Sequence, residues 1–173
     1  MKATKQLIVL LLQLFLLFVT GCEKPPETVK SDVVLNELLP VNSTVGTDQD
    51  GEYDDWIELY NMSGSAVDLS GYYLSDSKDH FSKWQFPAGT TIAAGGYLII
   101  WADDQAAQAG LHANFKLSSQ GEEVLLSSPA GDLLDKVIYT GQTQEISYAR
   151  NPDGTGSFVW QTPTYNSTNN TGR

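Results

Sequence analysis

The residues best suited to chemistry lie in one acidic run, Asp48-Gln49-Asp50-Gly51-Glu52-Tyr53-Asp54-Asp55. Carboxylates alternating along a loop, with a glycine that permits a sharp turn, are what a calcium ion requires, since it gathers six to eight oxygen ligands. Asp48, Asp50, Glu52, Asp54 and Asp55 are therefore the candidate metal ligands, and calcium is the only cofactor the residue types suggest. Counting twelve positions from Asp48 reaches Leu59, where an EF-hand needs a bidentate glutamate, so the run is not an EF-hand. A solvated acidic loop is the competing reading. Other chemistry is thinly represented. The two histidines, His80 and His112, are too few for a zinc centre, and His112 is expected to make a structural hydrogen bond. Ser118 or Ser119 with His112 could be drawn as a hydrolytic triad, but the chain has no GxSxG turn to present the nucleophile. No catalytic residue is assigned. Tyr53, Tyr72, Tyr73 and Trp160 are the rings that a sugar could stack on.

The elements that must carry these residues are short and β-rich. Runs at Val33–Leu39, Trp56–Tyr60, Gly71–Leu74, Lys83–Phe86, Tyr97–Trp101, Glu123–Leu126, Leu133–Tyr139, Glu145–Ala149 and Phe158–Trp160 read as strands. Turn clusters such as Ser63-Gly64-Ser65, Gly95-Gly96 and Pro152-Asp153-Gly154 separate them. Strands at this spacing predict an all-β sandwich or barrel. Alternation in WIELY turns Ile57 and Leu59 towards the core and Glu58 towards water, whereas the apolar run YLIIW predicts a strand covered on both faces. Only Asp103 to Gly110, rich in Ala and Gln, suits a helical turn.

The N-terminus has the parts of an export signal. Lys2 and Lys5 precede an apolar stretch from Leu7 to Val19, which ends at Val19-Thr20-Gly21-Cys22. The stretch is shorter than the roughly 20 residues of a spanning helix. Cys22 is the chain's single cysteine, and its setting resembles the lipobox of bacterial lipoproteins. That resemblance implies a lipid on the Cys22 sulfur and cleavage that leaves Cys22 as the new N-terminus. Each buried methylene of such a lipid contributes about 0.8 kcal/mol, so two or three acyl chains hold a protein at a bilayer. Residues 1–21 are then the signal peptide, 22–31 the lipidated cysteine and an extended tether of at most about 30 Å, 32–166 the folded domain and 167–173 a disordered tail. The Thr- and Asn-rich stretch from Gln161 onward is expected to be poorly ordered for most of its length.

Charge excludes several partners. The chain carries 10 Lys and Arg against 21 Asp and Glu, a formal charge of −11, and removing Lys2 and Lys5 with the signal moves it to −13. A protein so acidic, with no basic cluster, is not expected to bind nucleic acid or anionic lipid headgroups. With Cys22 unpaired, the domain must be stabilised by burial without disulfides.

The segments VVLNELLP, DWIELYN, LSGYYLSD, FPAGTTIAAGGYLIIWAD, HANFKLSSQGE and SYARNPDG, in that order, resemble the lamin-tail domain over about residues 32 to 166. The resemblance implies an immunoglobulin-like β-sandwich. It also implies a noncatalytic binding or scaffolding module, here at a cell envelope, whose partner is a protein or an extracellular polymer such as a polysaccharide. Two alternatives accompany it: a metal-dependent extracellular hydrolase or its accessory module, and a calcium-dependent carbohydrate-binding or adhesion module. Glu23 after the lipidated position permits the outer membrane or cell surface of a Gram-negative cell, and the external membrane face of a Gram-positive cell fits equally.

Overall fold

A computed structural model describes residues 27–169, so Cys22 and the signal segment lie outside the described residues. Twelve strands follow one another: β1 (Val33–Leu39), β2 (Trp56–Asn61), β3 (Val67–Asp68), β4 (Tyr73–Ser75), β5 (Trp84–Gln85), β6 (Thr91–Ile92), β7 (Tyr97–Ala102), β8 (His112–Ala113), β9 (Gly121–Ser127), β10 (Leu133–Thr140), β11 (Ser147–Asn151) and β12 (Ser157–Gln161). They form a six-stranded sheet in the order β12-β11-β1-β2-β7-β8, a four-stranded sheet β10-β9-β4-β5 and a small pair β3-β6. Pairing is antiparallel except between β7 and β8. The alternation in β10 shows how the layers meet: Leu133, Asp135, Val137 and Tyr139 are buried, while Ile138 is 58% exposed. Leu35, Ile57, Leu59 and Ile100 from the larger sheet meet Leu74, Val124, Leu126 and Val137 from the smaller in one continuous core, with Trp84 and Phe86 closing it. The fold observed is an all-β sandwich, one of the two architectures the strand spacing predicts, and it has the immunoglobulin-like form that the family resemblance implies.

Three expectations need correction. Residues 103–110 form bends and a turn closed by Gln108 N–H to Gln105 O at 2.8 Å, with no helix. Asp104 there is left-handed, at φ 61°, which breaks helical continuity. Glu58 does not face water: it is fully buried. The cause also corrects the third expectation, since the Thr- and Asn-rich segment is ordered through Asn169 and lies over the outer face of the six-stranded sheet. Thr164 donates its backbone N–H and its hydroxyl to Glu37, and Asn166 N–H donates to Glu58. Asn169, itself buried, donates to the carbonyls of Asn36 and Arg150. Tyr165 adds an apolar lid, packing edge-on to Trp56 at 5.6 Å and tilted against Trp101 at 5.9 Å. Gly46 makes room for that ring: a Cβ there would stand 2.6 Å from it. With Leu39 and Val45 these rings make a second small core. It explains why YLIIW is apolar throughout, for Leu98 and Ile100 face the main core while Ile99 and Trp101 face the second.

Candidate functional site

The acidic run occupies the loop between β1 and β2, and backbone geometry gathers part of it. Asp48 Oδ1 accepts the N–H groups of Asp50 at 2.9 Å and Glu52 at 2.8 Å, an aspartate-capped turn that Gly51 completes at φ +84°. The turn closes further through Asp48 N–H to Glu52 O at 3.1 Å and Gly51 N–H to Asp48 O at 3.3 Å. One carboxylate oxygen from each of Asp48, Glu52 and Asp54 then lies within 4.8 Å of the others. Asp48 is only 8% exposed, and its Oδ2, like Asp54 Oδ2, is buried without a hydrogen-bond partner among the described residues. Asp50 and Asp55 are not in the group. Asp50 is exposed and accepts from Gln49, while Asp55 turns away to accept the Asn42 N–H at 3.3 Å. Burial pushes the Asp55 carboxyl up to about 7. It also raises Asp54, aided by the neighbouring charges of Asp103, Glu52 and Asp48 and opposed by Lys116.

The segment around β8 supports this loop. His112 is buried; its Nδ1 lies 2.5 Å from Asp103 Oδ2, and its Nε2 lies within 3.2 Å of the Gln49 side-chain amide. Asp103 Oδ1 accepts from Gln105 N–H, and Gln105 Nε2 reaches Glu52 at 3.4 Å. The histidine thus makes structural hydrogen bonds that tie the acidic loop to the sheet. His80 is exposed in the turn after β4.

A hydrolytic triad is not assembled at His112. Ser118 Oγ accepts from Gln120 N–H, Ser119 Oγ accepts from the Gln120 side chain, and neither serine bonds the imidazole, whose partners are Asp103 and Gln49. The rings considered for sugar stacking lie in three separate parts of the fold. Tyr53 is in the acidic loop, Tyr72 packs against the main core, Tyr73 bonds Gln85 and Trp160 is on β12.

Two polar features escaped the sequence reading. Glu37 and Glu58 face each other in register across β1 and β2, both fully buried. Asp135 on β10 receives both Arg150 Nη2 contacts at 2.9 Å and the Leu35 N–H at 2.9 Å, joining one sheet to the other. A glutamate inside the apolar run VVLNELL was the available signal for the first; nothing local marks the second.

The two packed antiparallel sheets and the buttressed loop at one end define a protein of the immunoglobulin-like β-sandwich class. The lamin tail domain family model matches residues 26–141, about two thirds of the chain, and the chain belongs to that family. No curated protein matches it.

Proposed function

We propose that this chain is a noncatalytic recognition module, held at the cell envelope by lipid on Cys22, that binds an extended segment of another protein along the open edge of β12. The observation that carries this reading is the contrast among the four edges of the two larger sheets. β5 and β8, each two residues long, offer almost no ladder to pair with. β10 carries the inward-turned charge of Asp135, and its Leu133 carbonyl is already taken by the Val29 N–H. β12, Ser157-Phe158-Val159-Trp160-Gln161, has neither charge nor proline, and no strand pairs with its outer side among the described residues. Val159 is 40% exposed and Trp160 42%. Tyr148 packs tilted at 4.3 Å against Trp160 and stacks at 5.1 Å on Phe158, and Arg150 covers Phe158, so one face of the edge carries a ring row. Soluble proteins normally protect such strands, and one left open is suited to strand addition, in which main-chain hydrogen bonds supply affinity and side chains selectivity. The tether places that edge outside the membrane, where envelope and extracellular proteins are the available partners.

A photo-crosslinking residue at Val159 of the full lipidated chain, activated on intact cells, tests this. The expected result is one discrete protein adduct from position 159 and none from the exposed position of His80. Equal products from both positions contradict the proposal, as does a heterogeneous smear removed by polysaccharide-degrading enzymes.

A further inference from the structure

We infer that Asp48, Glu52 and Asp54 form a divalent-cation site whose ligand is calcium. The inference is independent of the β12 edge and rests on two observations. The first is convergence: three carboxylates from a seven-residue stretch each place an oxygen within 4.8 Å of the other two. Calcium binds oxygen at 2.3–2.6 Å, so two of its ligands can stand up to about 5 Å apart, and the three carboxylates are near enough to one another to share one ion. Magnesium demands near-ideal octahedral geometry and sheds its water reluctantly, so a trio of loop carboxylates serves it less well than calcium. The second is an unmet bonding capacity. Asp48 is more than nine-tenths buried, and its Oδ1 already holds the turn through two backbone N–H groups. Its Oδ2 has no donor among the described residues, and Asp54 Oδ2 is in the same condition. Buried carboxylate oxygens are almost always satisfied, by protein, by water or by a metal. Two of them beside a third carboxylate make an oxygen-only, anionic pocket.

The donor set selects the ion. It contains no sulfur, and the nearest imidazole, His112, has both nitrogens engaged by Asp103 and Gln49. All-oxygen sites with several open positions suit calcium rather than zinc or copper. The loop is held in this shape before an ion arrives, by the Asp48 cap and by Gln105 against Glu52. Three protein carboxylates, with water completing the shell, place the site with extracellular calcium modules, whose dissociation constants are about 10⁻⁴–10⁻³ M. Of the five acidic residues in the run, Asp50 and Asp55 stand outside the site.

Calorimetric titration of the full chain in detergent with calcium chloride tests this. The expected result is one ion per chain in that range, weakened roughly tenfold or more in Glu52→Gln and in Asp54→Asn. Glu52 is exposed, so its replacement leaves the fold intact. Asp50→Asn should bind as the native chain does, and magnesium should bind more weakly than calcium. No binding up to roughly 10 mM calcium overturns the inference. So does equal weakening by Asp50→Asn and Glu52→Gln, which marks diffuse attraction to an acidic loop.

Discussion

Arg150→Met should destabilise the domain by about 3–5 kcal/mol, read as a lowered urea midpoint at unchanged slope. Arg150 Nη2 meets both oxygens of Asp135 at 2.9 Å, Nε donates to Leu35 O at 2.8 Å and Nη1 to Gly156 O at 3.1 Å. Asp135 is buried and also accepts the Leu35 N–H. One guanidinium therefore holds β11 to β1 and β10 at once. Methionine retains the stem over Phe158 but leaves the Asp135 carboxylate buried without its cation, and that uncompensated charge is the main cost. Lysine should recover only part of the loss, because a point charge cannot reproduce the planar fork that serves three acceptors. A double-mutant cycle with Asp135→Asn isolates the pair, and coupling below about 0.5 kcal/mol would show that the bridge is not what joins the sheets.

The second large effect is a dependence of stability on pH that runs opposite to ordinary acid denaturation. Burial pushes Glu58 up to about 8; the Asn36 and Asn166 hydrogen bonds oppose this, and the nearby Glu37 and Asp153 carboxylates reinforce it. Glu37 is raised as well, again chiefly by burial. A carboxyl whose folded pKa exceeds its unfolded value near 4.5 keeps its proton in the folded state while the unfolded chain releases it. The contribution is complete below about pH 4.5 and lost as pH climbs to about 8. At 1.36 kcal/mol per pH unit between about 4.5 and 8 it is worth up to roughly 5 kcal/mol. Unfolding midpoints should therefore fall between pH 5 and pH 8, and Glu58→Gln should flatten that slope. A wild-type midpoint that is level or rises over this interval contradicts the assignment.

Much of the fold is legible in the chain because its long strands announce themselves. β1 is mostly apolar, β10 alternates, and their sequences bound both to within a residue. β3, β6 and β8 have two residues each, too few to show a period, and they exist only because their neighbours are in place. Glu58 was misread for a different reason. Alternation says which residues share a face, but it cannot say what covers that face, and the cover comes from Asn166, 108 positions away. The same distance hides why the C-terminal segment is ordered: its composition offers little beyond Tyr165 to bury, yet that ring packs on Trp56 and Trp101 and its neighbours' donors satisfy Glu37 and Glu58. At the acidic loop, residue type nominated five ligands. Only side-chain direction separates Asp48, Glu52 and Asp54 from Asp50, which is exposed, and Asp55, which bonds Asn42.

The proposed strand pairing depends on where the domain works, and therefore on whether Cys22 carries lipid. That attachment is tested most directly by feeding cells a radiolabelled fatty acid and comparing the native chain with Cys22→Ser. The native chain should carry the label and stay with membranes after carbonate extraction, because two or three acyl chains hold it there. Cys22→Ser should carry none and leave the membrane fraction. An unlabelled native chain, or a Cys22→Ser variant that stays with the membrane, would contradict a lipid-held module.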